Sequence, residues 1–78
     1  MKEREREGLQ RDLTDALDAL QQGRSVLTLD GLADHLAKLG PLYRFHGLLI
    51  RGALQQKDHG AIIAQLVQVL YKLERGMS

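Results

Sequence analysis

The feature that most constrains the fold is the spacing of the apolar residues, which recur every three or four positions along most of the chain. In the first segment this spacing is followed by Leu9, Leu13, Ala16, Leu17 and Leu20. At about 100° per residue these positions fall on one narrow stripe of a helix. No stretch alternates apolar and polar residues between turn residues, as a β-strand would. The chain is therefore predicted to be all-α.

Glycine and proline residues predict where the first two helices end and where the third begins. Gly23 can take the left-handed conformation that terminates many helices, so the first helix is predicted over residues 3–22. A short second helix should then end at Gly40 and Pro41, because proline cannot continue a helix but fits the first turn of a new one. The third helix is accordingly predicted over residues 41–56.

Two polar residues are predicted to begin the second and fourth helices. Thr28 precedes the apolar stripe of the short helix, and Asp58 precedes the last helix. Side chains of this kind accept a hydrogen bond from a free backbone N–H at a helix N-terminus, so both residues are predicted N-caps. The prediction is a single domain over residues 1–78, folded as a small antiparallel bundle of three main helices and one short helix.

Composition excludes several classes of protein. The chain has no cysteine, which removes disulfides and thiolate zinc sites. Its 11 Lys and Arg are interspersed with 10 Asp and Glu, so it lacks the basic patch of a nucleic-acid binder. Tyr43, Phe45 and Tyr71 are too few for a base-stacking surface. No segment has the apolar length of a membrane span or a secretory signal, so a cytoplasmic location without a membrane span is expected.

No combination of residues predicts catalysis. His35, His46 and His59 are not spaced as metal ligands, and no serine or threonine stands in the context of an activated nucleophile. We therefore expect no enzymatic activity, no cofactor and no metal. His46 falls on the apolar arc of the third helix, where it is interpreted as a core histidine with a satisfied ring nitrogen.

The third and fourth helices carry more apolar side chains than one narrow helix and one short helix would cover. Such a surplus predicts a groove for a partner helix, although an ordinary four-helix core is the alternative. Gly47 and Gly52 each cost about 1 kcal/mol relative to alanine in a helix, which predicts a close approach by a neighbour. The predicted partner-binding residues are Tyr43, Phe45, Leu49, Ile50, Leu54, Ile63, Val67, Leu70 and Tyr71.

The C-terminal half of the chain resembles a known family. Residues 42 to 77 read LYRFHGLLIRGALQQKDHGAIIAQLVQVLYKLERGM and resemble the flagellar export chaperones of the FliS type. In that family the third helix opens with a Leu-Tyr pair, has an alanine ten residues after the tyrosine, and closes on an aspartate five residues later. Leu42, Tyr43, Ala53 and Asp58 stand at these intervals.

Two further patterns extend the resemblance. The family's last helix ends in an apolar pattern that is similar to Leu66, Val67, Val69, Leu70 and Leu73. Residues 9–23 resemble a Leu-rich helix of the small helical co-chaperones of the injectisome needle subunit. Both resemblances imply a helical fold and a protein that keeps a secretion substrate soluble by covering its amphipathic helices.

The sequence thus predicts a non-enzymatic chaperone or adaptor that covers amphipathic helices of a bacterial type III export substrate, flagellar or injectisome. Its expected partner is an export substrate or co-chaperone, a second copy of the chain, or both. One alternative is a homo-oligomeric structural or regulatory helical protein. Another is a small helix-turn-helix DNA-binding regulator, in which Arg44 and Arg51 would contact DNA beside the turn at Gly40 and Pro41.

Overall fold

The predicted all-α bundle is confirmed by the structure, a computed structural model that describes residues 2–76. Within this range the secondary structure consists of four helices and contains no strand. They are α1 (Glu3–Gln21), α2 (Leu29–Lys38), α3 (Pro41–Gln55) and α4 (His59–Glu74). The C-terminal ends of α1 and α3 lie one residue before the predicted ends.

The four helices pack around a single apolar core. α3 packs against both α2 and α4, α4 packs against α1, and the contact between α1 and α2 is the smallest. Each helix contributes the residues on one face to the core, as the three-to-four-residue spacing predicts. The buried apolar residues are Leu9, Leu13, Ala16, Leu20, Leu29, Leu32, Ala33, Leu36, Tyr43, Ile50, Ala53, Ile62, Leu66, Val69 and Leu73.

The helix ends follow the predicted turn residues with one exception. Gly23 and Gly40 have φ angles of 77° and 127°, and Pro41 is the first residue of α3. The Asp58 carboxylate accepts a hydrogen bond from the Ala61 N–H at 3.1 Å, as expected of an N-cap. Thr28 was predicted to do the same, but its side chain makes no capping bond. Its φ of −90° and ψ of 0° are already helical, whereas a capping residue needs extended backbone.

Gly47 of α3 lies directly against the backbone of α2. A Cβ added there would lie 2.5 Å from the Ala33 carbonyl oxygen and 2.8 Å from the Ala37 nitrogen, so only glycine fits. The same reason was predicted for Gly52 and is wrong, because a Cβ at Gly52 meets nothing within 4 Å. Nothing that residues 2–76 place around position 52 therefore requires a glycine there.

A buried histidine joins α3 to α4. His46 is 4% exposed, and its Nδ1 lies 2.7 Å from the Gln65 Oε1 while its Nε2 lies 2.7 Å from the Lys72 Nζ. Since the amide oxygen accepts only, Nδ1 carries the ring proton and Nε2 accepts from Lys72. Lys72 also donates to the Leu42 carbonyl at 3.4 Å. Both ring nitrogens of this core histidine are satisfied, where the sequence predicted one.

Candidate protein-binding surfaces

Two of the predicted partner-binding residues lie in the core. Tyr43 is 1% exposed and Ile50 is fully buried. Both lie on the side of α3 that faces the bundle, so neither offers surface to a partner of the folded chain. Their prediction as exposed anchors is therefore corrected, because they pack among the protomer's own helices.

Two other predicted residues are partly buried and pack against the core. Leu54 lines a cavity of about 270 Å³ near the start of α4, together with Leu20, Val26 and Ile62. Ile63 packs against the core from the first turns of α4. Both side chains contribute to the protomer's own packing more than to an open surface.

Val67, Leu70 and Tyr71 line a groove between α1 and α4. It has a volume of about 520 Å³, and α1 contributes Leu17 to its apolar floor. Val67 is 48% and Tyr71 55% exposed, whereas Leu17 and Leu70 are half-buried. The α1–α4 groove, as we call it, is lined by Gln10, Thr14, Leu17, Val67, Leu70, Tyr71 and Glu74.

The Tyr71 side chain in this groove is held in place by Arg75, one helical turn further along. Arg75 Nη1 donates a hydrogen bond of 2.9 Å to the Tyr71 hydroxyl. The carbon at the centre of the guanidinium lies 5.2 Å from the centroid of the tyrosine ring, within the range of a cation–π contact. A ring fixed in this way loses little side-chain freedom when a partner covers it.

A second exposed apolar surface lies on the outer side of α3. Phe45 is 63%, Leu48 53% and Leu49 38% exposed, and we call these three residues the α3 ridge. On α4, Gln65 and Lys72 lie on the side that contacts α3, where both bond to His46. Val67 and Tyr71 lie on the side that faces α1. The predicted single surface is thus two surfaces on different sides of the bundle.

The sequence analysis did not include Leu48 or Leu17 among the partner-binding residues. Leu48 follows Phe45 by three positions, and this spacing alone was enough to place both on one face of a helix. Leu17 lies at the edge of the α1 stripe, where its spacing could place the side chain either in the core or in a surface groove. Its role is visible only once α4 is known to be the neighbour of α1.

One of the two arginines that the DNA-binding alternative requires, Arg51, is paired with acidic side chains of α2. Arg51 Nε lies 3.5 Å from an Asp30 carboxylate oxygen and Arg51 Nη2 lies 3.5 Å from one of Asp34. Lys38 also pairs with Asp34 at 2.9 Å, and this hydrogen bond and charge, helped by Arg51, hold the pKa of the Asp34 carboxyl below its usual value. Two carboxylates beside Arg51 repel the phosphates that a DNA-binding helix must approach.

Sites of other kinds are not found in the part of the chain that the structure describes. Between residues 2 and 76 there is no cluster of three histidine or acidic side chains placed to hold a metal ion. In the same range no helix has the length and apolar character needed to cross a membrane. The chain matches no known protein family, no curated protein and no solved structure.

Proposed function

We propose that the protein is a non-enzymatic binding domain whose α1–α4 groove holds an amphipathic helix of another protein. The observation that supports it is a continuous apolar groove with a polar rim, in which Val67 and Tyr71 remain about half exposed. Amphipathic helices bind grooves of this kind by inserting apolar side chains spaced three and four residues apart.

The dimensions of the groove set the expected strength of binding. Its lining residues span 10 to 17 on α1 and 67 to 74 on α4, which corresponds to about 10 Å of helix, or two turns. Two turns bury less surface than a stable protein–protein interface of about 1,600 Å² requires. The groove therefore holds its client weakly and reversibly, as a carrier must if it is to release what it carries.

The proposed client is a bacterial type III export substrate, and the protein is its cytoplasmic chaperone or adaptor. This step rests on the resemblance of residues 42–77 to flagellar export chaperones. It also agrees with the chemistry of the groove, because subunits that polymerise through amphipathic helices expose such helices before assembly. Covering one of them is a task that needs apolar surface and no catalytic group.

The test is binding of a fluorescent peptide that carries the C-terminal amphipathic helix of a flagellin. We expect micromolar binding by the wild type, and Val67→Gln should weaken it about tenfold. Leu48→Gln is the matched control on the α3 ridge and should leave the affinity unchanged. A peptide of the same composition with scrambled apolar spacing should not bind. Equal binding of both peptides, or equal effects of both substitutions, would refute the proposal.

A further inference from the structure

We propose that His46 and Lys72 form an acid-sensitive latch, which holds α4 against α3 while the imidazole is neutral and releases it when the imidazole takes up a proton. The two side chains meet between the helices, where His46 is 4% exposed and the Lys72 Nζ lies 2.7 Å from its Nε2. The inference concerns the packing of α3 against α4, so it does not depend on the proposed function.

Gln65 and Lys72 bind the two nitrogens of the imidazole from one face of α4. They are seven residues, or two helical turns, apart and therefore lie on the same face of that helix. The Gln65 amide oxygen accepts from the Nδ1–H of His46 at 2.7 Å, which leaves Nε2 unprotonated as the acceptor for Lys72. Lys72 also donates to the Leu42 carbonyl of α3 at 3.4 Å. The neutral ring thus satisfies both partners, and the lysine binds α3 at two points.

Protonation changes the ring at the atom that Lys72 contacts. An imidazolium donates from both nitrogens, so Nε2 can no longer accept a hydrogen bond from the ammonium. Two positive charges would also stand 2.7 Å apart beside an almost fully buried ring, where they repel more strongly than in bulk water. Lys72 is only partly buried, so its side chain can turn into solvent, and this movement also breaks the bond to Leu42. A proton on His46 therefore removes both contacts of Lys72 with α3.

The surroundings supply no anion to stabilise an imidazolium. Within residues 2–76, Lys72 is the only charged side chain that bonds to His46, and no ion pair includes the imidazole. Glu74 lines the α1–α4 groove, on the side of α4 away from Lys72. The other charged groups that neighbouring helices bring to α3 are Arg6 of α1 and, on α2, Asp30 and Asp34, which lie beside Arg51. Because both α2 carboxylates already lie beside a cation, the repulsion between His46 and Lys72 is not offset.

Urea denaturation between about pH 8 and pH 5 tests the latch. A histidine in an unfolded chain takes up its proton near pH 6.5, so the stability that the neutral ring contributes is complete above that pH and is lost as the pH falls below it. The unfolding equilibrium constant of the wild type should therefore rise relative to that of His46→Gln, by up to about tenfold per pH unit. Glutamine has an amide donor and acceptor that do not titrate. Equal pH dependence of the two proteins would overturn the proposal.

His35→Gln is the matched control for this experiment. It makes the same change at a histidine that is exposed on α2. The pH dependence of its unfolding should remain that of the wild type, because an exposed ring is hydrated in the folded and the unfolded chain alike. If His35→Gln removes as much of the acid sensitivity as His46→Gln, the effect does not come from the latch.

Nitrogen-15 NMR of the wild-type imidazole rings tests the same inference without a substitution, and it applies even if His46→Gln does not fold. At neutral pH, His46 should be the neutral ring with its proton on Nδ1. On acidification, the amide signals of residues 42–46 and 65–72 should shift or broaden as the ring becomes protonated. A protonated His46 with these amide signals unchanged would overturn the proposal. So would a ring and amides that both stay unchanged down to about pH 4, well below the ordinary range of histidine.

Discussion

Replacing each of two glycines of α3 by alanine should change the stability in opposite directions. Gly47 and Gly52 lie in the same helix, five residues apart, and the same substitution raises the intrinsic helix propensity at both by about 1 kcal/mol. They differ in what the new methyl group meets. At Gly47 it meets the α2 backbone, and at Gly52 it meets open space.

The size of the difference follows from the distances. A Cβ at Gly47 would lie 2.5 Å from the Ala33 oxygen, and the normal contact distance is greater by roughly 1 Å. Because the atoms it meets are backbone, α2 must move away from α3 as a unit. Overpacking of this kind costs about 3 kcal/mol at the upper end of its usual range. After the gain in helix propensity, Gly47→Ala should lose about 2 kcal/mol of unfolding free energy, whereas Gly52→Ala should gain about 1 kcal/mol.

Urea denaturation followed by far-UV circular dichroism measures both effects. The wild type and both variants should be compared at the same low micromolar concentration, which limits any contribution from self-association. In thermal unfolding the loss should lower the Tm of Gly47→Ala by about 8–16 °C, and the gain should raise that of Gly52→Ala by about 4–8 °C. If Gly47→Ala is as stable as the wild type, α2 and α3 do not approach as described here.

Three further predictions concern the polar groups of the bundle. Lys72→Met removes the donor to the buried His46 Nε2 and should destabilise the fold by about 1–3 kcal/mol in urea denaturation, and adding His46→Leu should restore part of the loss. Asp58→Ala removes the N-cap of α4 and should cost about 1 kcal/mol in the same assay; an unchanged midpoint would refute the capping role. Burial raises the pKa of the Tyr43 phenol above its usual 10.0 despite the nearby Arg6. The stability that the buried, neutral phenol contributes is therefore complete below the pKa of the unfolded chain, and it is lost as the pH rises through the higher pKa of the folded protein. In a Tyr71→Phe protein the remaining phenol should therefore ionise above pH 10.0 by ultraviolet absorbance, and an ordinary titration would contradict its burial.

The helices could be predicted closely because their signals are local. Leu9, Leu13 and Leu20 define a stripe through spacing alone, and Gly23 and Pro41 end or begin helices by their own backbone preferences. Thr28 shows the limit of this reasoning. Its type suits an N-cap, but the extended backbone that capping requires is set by how the loop leaves α1, which the residue itself does not specify.

The binding surfaces were less predictable because they depend on which helices are neighbours. The apolar residues of α3 cover more than half of its circumference, so spacing could not tell buried Tyr43 and Ile50 from exposed Phe45 and Leu49. The two surfaces were predicted as one because the apolar surplus of α3 and α4 was considered together. In the structure, Val67 of α4 faces α1 instead.

The α1–α4 groove itself is tested most directly by the backbone amide NMR spectrum of the chain, titrated with the flagellin C-terminal helix peptide. If the groove holds an amphipathic helix, the shifts of residues 10–17 and 67–74 should move together and saturate at micromolar peptide. Amides of the α3 ridge should stay in place. Shifts confined to α3, or no shifts at millimolar peptide, would contradict the account.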